Sequence, residues 1–92
     1  MRGVMAIALW GLATTLQAAV QDVKCYVQLQ DGQKVVLQGT VPQGSDPVAQ
    51  FMRRGREMNG QIVKVREVIE CRPSGLPFEH QAAREQEQRQ PR

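Results

Sequence analysis

The chain has one histidine, two cysteines, one tyrosine, two phenylalanines and one tryptophan in 92 residues. Each scarcity removes a class of explanation. A lone His80 leaves a metal site without imidazole company, and two cysteines cannot build a zinc tetrahedron. No serine or cysteine stands where a structured base would activate it as a nucleophile. Ser45 and Ser74 lie beside turn and helix-start signals, where serine caps instead of reacting. The glycines form no phosphate-cradling pattern. Neither sign of charge dominates: 12 Lys and Arg face 9 Asp and Glu, a formal net charge of +3. They are interleaved and form no basic stripe for nucleic acid. These lacks predict a protein that is not an enzyme, holds no cofactor or metal, and binds no nucleic acid. They leave contact with another protein as the mode of action, and they do not set an oligomeric state.

What is present begins with a leader. Arg2 is followed by an apolar run over residues 4–16, then by "LQA" with a small residue at Ala18. This is the layout of a secretory signal peptide, with cleavage after Ala18. The run of about 13 residues is short of the ~20 that a spanning helix needs, so the mature chain is read without a membrane span. The residues before Cys25 are Asp22, Val23 and Lys24, too charged for a lipoprotein signal. The expected location is the periplasm or the exterior of the cell. There, two cysteines most simply form one disulfide, Cys25 to Cys71. A redox pair would want C-x-x-C spacing, which is missing. Closing a loop of about 47 residues is worth roughly 4 kcal/mol in the chain-entropy picture. A fold of about 55 residues buries too little apolar surface to do without such a staple.

The segment "DVKCYVQLQ" alternates. Val23, Cys25, Val27 and Leu29 share one face of a strand; Lys24, Tyr26, Gln28 and Gln30 share the other. "DG" and the β-branched run "QKVVLQGTV" complete a hairpin. A two-residue Asp31-Gly32 turn would set Cys25 against Gln38, a polar mismatch. A three-residue loop over 30–32 sets Val27 against Val35 and Cys25 against Leu37, with Gly32 left-handed in a G1 bulge. The three-residue loop is the expectation, with Lys34 and Val36 facing away from the core.

Next comes "DPVAQFMRRG", with Asp46 as N-cap and Pro47 at the first helical position. Val48, Phe51 and Met52 form an apolar stripe. The helix ends at Gly55 in a left-handed C′ position, or runs on to Met58 and stops at "NG". "QIVKVREVIEC" is the final strand, with Val63, Val65, Ile69 and Cys71 on its apolar face. Glu67 interrupts that face. Either it lies at a sheet edge, or a bulge near Arg66 and Glu67 turns Val68 inward, because a buried unpaired carboxylate is costly.

The resulting fold class is α+β: a β-β-α-β domain over 19–72, with a three-stranded sheet in order 2-1-3 and one short helix packed on it. A right-handed crossover returns the third strand beside the first and brings the cysteines together. Residues 73–92 read as a polar C-terminal tail, flexible or weakly helical. Candidate contact residues for a partner are Arg53, Arg54 and Arg56 at the helix exit, and Tyr26 with Val36 on the exposed face of the hairpin. Phe78, with Leu76, either tacks the start of the tail onto the domain or anchors a partner. An edge strand at the hairpin is a further place where a partner strand would add.

In "VKCYVQLQDGQ" and "VKVREVIEC" the chain resembles the TapY2 family of small exported type IVa secretion system proteins, associated with type IV pilus systems. The likeness lies in the leader, the early K-C-x-V strand, the hairpin, and the short helix ending in glycine. It extends to a terminal V-x-E-V-x-E-C pattern at Val65, Glu67, Val68, Glu70 and Cys71, and to an aromatic, Phe78, near the start of the tail. The resemblance implies an accessory role near pilus or secretion machinery and supplies no catalytic residue. Two rival readings are an inhibitor of a hydrolase acting through "TVPQGS" at 40–45, and a module binding an anionic envelope polymer through the arginines.

Overall fold

The structure, a computed structural model, describes residues 19–90; the leader read over 1–18 lies outside the described residues. The elements are β1 (Val20–Leu29), β2 (Lys34–Pro42), α1 (Pro47–Met52), β3 (Gly55–Met58), β4 (Gln61–Pro73) and α2 (Gln81–Arg89). All strand pairs are antiparallel, and the sheet order is β2-β1-β4-β3.

The first hairpin has the expected register. Cys25 faces Leu37 and Val27 faces Val35. The Leu29 N–H donates to the Gln33 carbonyl at 2.8 Å, closing a three-residue loop with Gly32 at φ 92°. The last strand returns beside β1, as the crossover argument requires, and Cys25 sits directly opposite Cys71, joined by a disulfide with Cα atoms 4.1 Å apart.

The sheet has four strands instead of three. The added strand is β3, cut from residues that were read as the helix exit. Asn59 and Gly60 both take positive φ, 54° and 82°, and close a two-residue turn between β3 and β4 of the kind that Asn-Gly favours. "NG" is therefore a hairpin signal and not a helix stop. Gly55 is no left-handed cap. It is the first residue of β3, where an added Cβ would lie 2.7 Å from the Val63 carbonyl oxygen and 2.8 Å from Ile62 Cγ2.

Glu67 is dealt with by bulges. The pairing runs Leu29 to Val65, then Gln28 to Glu67, so Arg66 is extra; Val27 meets Val68 and Tyr26 meets Glu70, so Ile69 is extra. The first bulge moves Glu67 out and Val68 in, as the cost of a buried carboxylate demands. The second restores phase, so that Cys71 again points to the side of Cys25. Each bulge alone would turn Cys71 away from its partner; together they exchange Glu67 and Ile69 for Val68 on the core face.

On that face Val23, Cys25, Val27, Leu29, Val35, Val41, Val65 and Phe51 form the main core. Asp46 caps α1 by accepting from the Val48 N–H at 3.0 Å, and Pro47 takes the first helical position. Of the expected stripe only Phe51 is buried. Val48 and Met52 remain 43% and 42% exposed, because a six-residue helix lays only one side chain fully into the sheet.

The other face carries the second correction. There are two helices, and the segment read as a polar tail becomes α2, docked on the outer face of β1 and β2. Tyr26, Val36, Phe78 and Ala83 form a second core there, with Ile69 beside it. Val36 therefore faces away from the first core but is only 4% exposed.

Candidate interaction surface

The residues beneath and around α2 explain how so polar a segment stays in place. Phe78 is 1% exposed and meets the Tyr26 ring at 6.4 Å. Lys24, on the polar face of β1, is only 4% exposed. Its Nζ donates to both carboxylate oxygens of Glu87 at 3.0 Å and lies 4.8 Å from the centre of the Phe78 ring. A buried ammonium is tolerable only with such a partner.

The start of α2 is capped from outside. His80 is the N-cap but makes no side-chain capping bond. Glu70, on β4, does the work: its carboxylate accepts from the Glu79 N–H at 2.7 Å, the His80 N–H at 3.0 Å and the His80 ring at 2.9 Å. Burial pushes the Glu70 carboxyl up, but the backbone bonds from Glu79 and His80, then the bond and charge of the His80 ring, together hold it below the usual glutamate range. Arg84 reaches back to the carbonyls of Phe78 and Glu79 at 2.8 and 2.9 Å. At the far end the Gln90 carboxamide bonds the backbone of Val36 twice, accepting at 2.9 Å and donating at 2.6 Å.

The sequence-based contact residues are therefore divided. Tyr26 and Phe78 come together, but they are buried against each other under α2 and offer no free surface. Arg54 is occupied: its guanidinium stacks 4.4 Å from the centre of the Phe51 ring and donates to the Thr40 carbonyl at 3.2 Å. It rests in the space above Gly39, where a Cβ would collide with Nη1. Arg53 is the C-cap of α1 and is exposed; Arg56 is half-buried on β3. Beside Arg53 the side chains of Val48 and Met52, four residues apart on α1, leave a half-exposed apolar ridge. Sequence reasoning assigned that ridge to the core; the shortness of α1 was the signal that one face would stay outside.

The segment 40–45 is not a projecting loop. Its first residues belong to β2, Gly44 takes φ 88°, and the Ser45 hydroxyl donates to the Pro42 carbonyl at 2.6 Å, which makes a tight turn. Among the described residues no group of three His, Cys, Asp or Glu side chains is assembled for a metal, and no helix is long and apolar enough to cross a membrane.

A family model described as "Type IVa secretion system protein TapY2-like" matches residues 3–92, nearly the whole chain. No curated protein and no solved structure gives a significant match.

Proposed function

Since the chain belongs to the TapY2-like family of type IVa secretion system proteins, we propose that it is an exported, non-enzymatic accessory protein of that machinery. It acts by protein–protein contact, in the periplasm or at the cell surface, near the type IV pilus. The family match carries this reading. The disulfide supports the exported location, because such bonds persist in oxidising compartments.

The contact surface on this reading is the outer side of α1: Val48, Met52 and Arg53, with Arg56 on β3 nearby. An apolar ridge beside an arginine is the usual composition of an interface centre. It also leaves the disulfide core undisturbed on the inner side of the helix. The test is site-specific photo-crosslinking from position 48 or 52 in cells that assemble pili, combined with a motility assay. Crosslinks to a secretion or pilus component, with motility lost on Met52→Glu and Arg53→Glu, are the expected result. Wild-type motility after deletion of the whole gene would end the proposal.

A further inference from the structure

The outer edge of β2 carries a backbone ladder that one side chain closes. The Leu29 N–H bond to the Gln33 carbonyl fixes which residues of β1 bond toward β2. Alternation along an antiparallel pair then turns the backbone groups of Lys34, Val36, Gln38 and Thr40 outward. β2 is first in the sheet order, so among the described residues no strand lies beyond it. At Val36 both outward groups are taken by the Gln90 carboxamide. One side chain makes the two bonds that an adjoining strand would make. Gln86 steadies it, donating to Gln90 Oε1 at 3.1 Å.

The strand behind this guard is unusual for an edge. Residues 35–41 read VVLQGTV, with no charge and no proline. Edges of that composition pair with their own kind unless something covers them.

We propose that the β2 edge is a pairing surface for a second copy of this chain, held shut by Gln90. Two copies fit antiparallel about a two-fold axis at Val36, with Val36 against Val36 and Lys34 against Gln38. The two bonds that Gln90 makes in each copy are exchanged for the two reciprocal bonds between the Val36 residues, and the Lys34–Gln38 pairs add more. No like charges stand opposite each other in this register. A register shifted toward Thr40 would compete with Arg54, which already holds the Thr40 carbonyl; the register at Val36 leaves that bond intact. Gln90, the C-cap of α2, fills the outward groups of Val36, so the chain stays a monomer through this edge while that carboxamide is docked and pairs when it lifts.

The experiment uses the oxidised protein with Gln90→Ala, at millimolar concentration, read by light scattering and amide hydrogen exchange. The mass should double relative to wild type, and exchange at the Lys34 and Gln38 amides should slow by more than an order of magnitude. Gln90→Glu keeps an acceptor for the Val36 N–H and loses the donor to its carbonyl, so it should dimerise more weakly. Adding Gln38→Pro removes an outward N–H at an exposed edge position, where proline is tolerated, and should return Gln90→Ala to a monomer. A Gln90→Ala protein that stays monomeric overturns the proposal. So does a dimer whose Gln38 amide exchanges as in wild type, or one that survives Gln38→Pro.

Discussion

The Lys24–Glu87 pair predicts an asymmetry. The Lys24 side chain is 5% exposed and that of Glu87 is 18%. Glu87→Ala leaves an ammonium beside the Phe78 ring without its carboxylate, and breaking a buried pair in this way costs about 3–5 kcal/mol. The protein has a cheaper escape, which is to undock α2 and return Lys24 to water. The cost is then capped by the docking free energy of α2. The segment brings two buried apolar side chains, Phe78 and Ala83, which puts that cap at about 3 kcal/mol. Lys24→Met keeps the apolar stem under the helix and leaves the charge that lies nearer water, so it should cost less than about 1 kcal/mol. Replacing both, with Lys24→Met and Glu87→Leu, should return stability to within about 1 kcal/mol of wild type. Urea unfolding gives the three values, and hydrogen exchange at the α2 amides shows whether the Glu87→Ala loss is local. A Lys24→Met variant that is destabilised as much as Glu87→Ala would refute the argument, because it would mean that burial does not set the energetics of this pair.

Three further outcomes follow from the geometry. Replacing Cys25 and Cys71 by serine removes a link across a sequence separation of 46 and should cost roughly 4 kcal/mol, seen as a urea midpoint below that of the oxidised wild type when both are measured without reductant. Glu70→Gln should weaken α2 docking at neutral pH, monitored by the fluorescence of Tyr26, the only tyrosine. Because the folded Glu70 carboxyl lies below its ordinary value, its contribution is complete above about pH 4.3 and fades as pH falls through the folded value; the gap between wild type and Glu70→Gln should close there, and a gap unchanged in acid would contradict the capping role. Gly55→Ala forces a Cβ against the Val63 carbonyl and should cost about 1–3 kcal/mol, with faster amide exchange in β3 and β4 as the check; wild-type exchange would show that the strands can part without penalty.

The parts of the fold that were legible are those where one local rule decides. Alternation fixed the inward residues of β1. A polar mismatch ruled out the shorter hairpin loop, and Glu67 announced either a sheet edge or a bulge because burying an unpaired carboxylate is costly; the bulge is what occurs. The second bulge, at Ile69, had a signal too: once Val68 turns inward, Cys71 can meet Cys25 only if the phase is restored. β3 was missed because "NG" ends helices as well as opening two-residue hairpins, and four residues of strand are too few to show a period. The covered outer face was missed for a different reason. Lys24, Glu87, Glu70 and Gln90 read as solvent-facing polar residues, and each is satisfied only by a partner far away in sequence. A helix with Ala83 as its one buried residue carries no stripe to betray it; its docking is specified by polar bonds and by the single aromatic, Phe78, that precedes it. That same reliance on polar bonds makes α2 the separable layer of the protein. The disulfide ties β1 to β4 at Cys25 and Cys71, beside the core around Phe51, while α2 is held by Phe78 and by polar bonds that acid or a single substitution should weaken. Exposure of Tyr26, Val36 and the β2 edge is thus a local event that leaves the stapled core standing, which is the condition for any role that depends on uncovering that face.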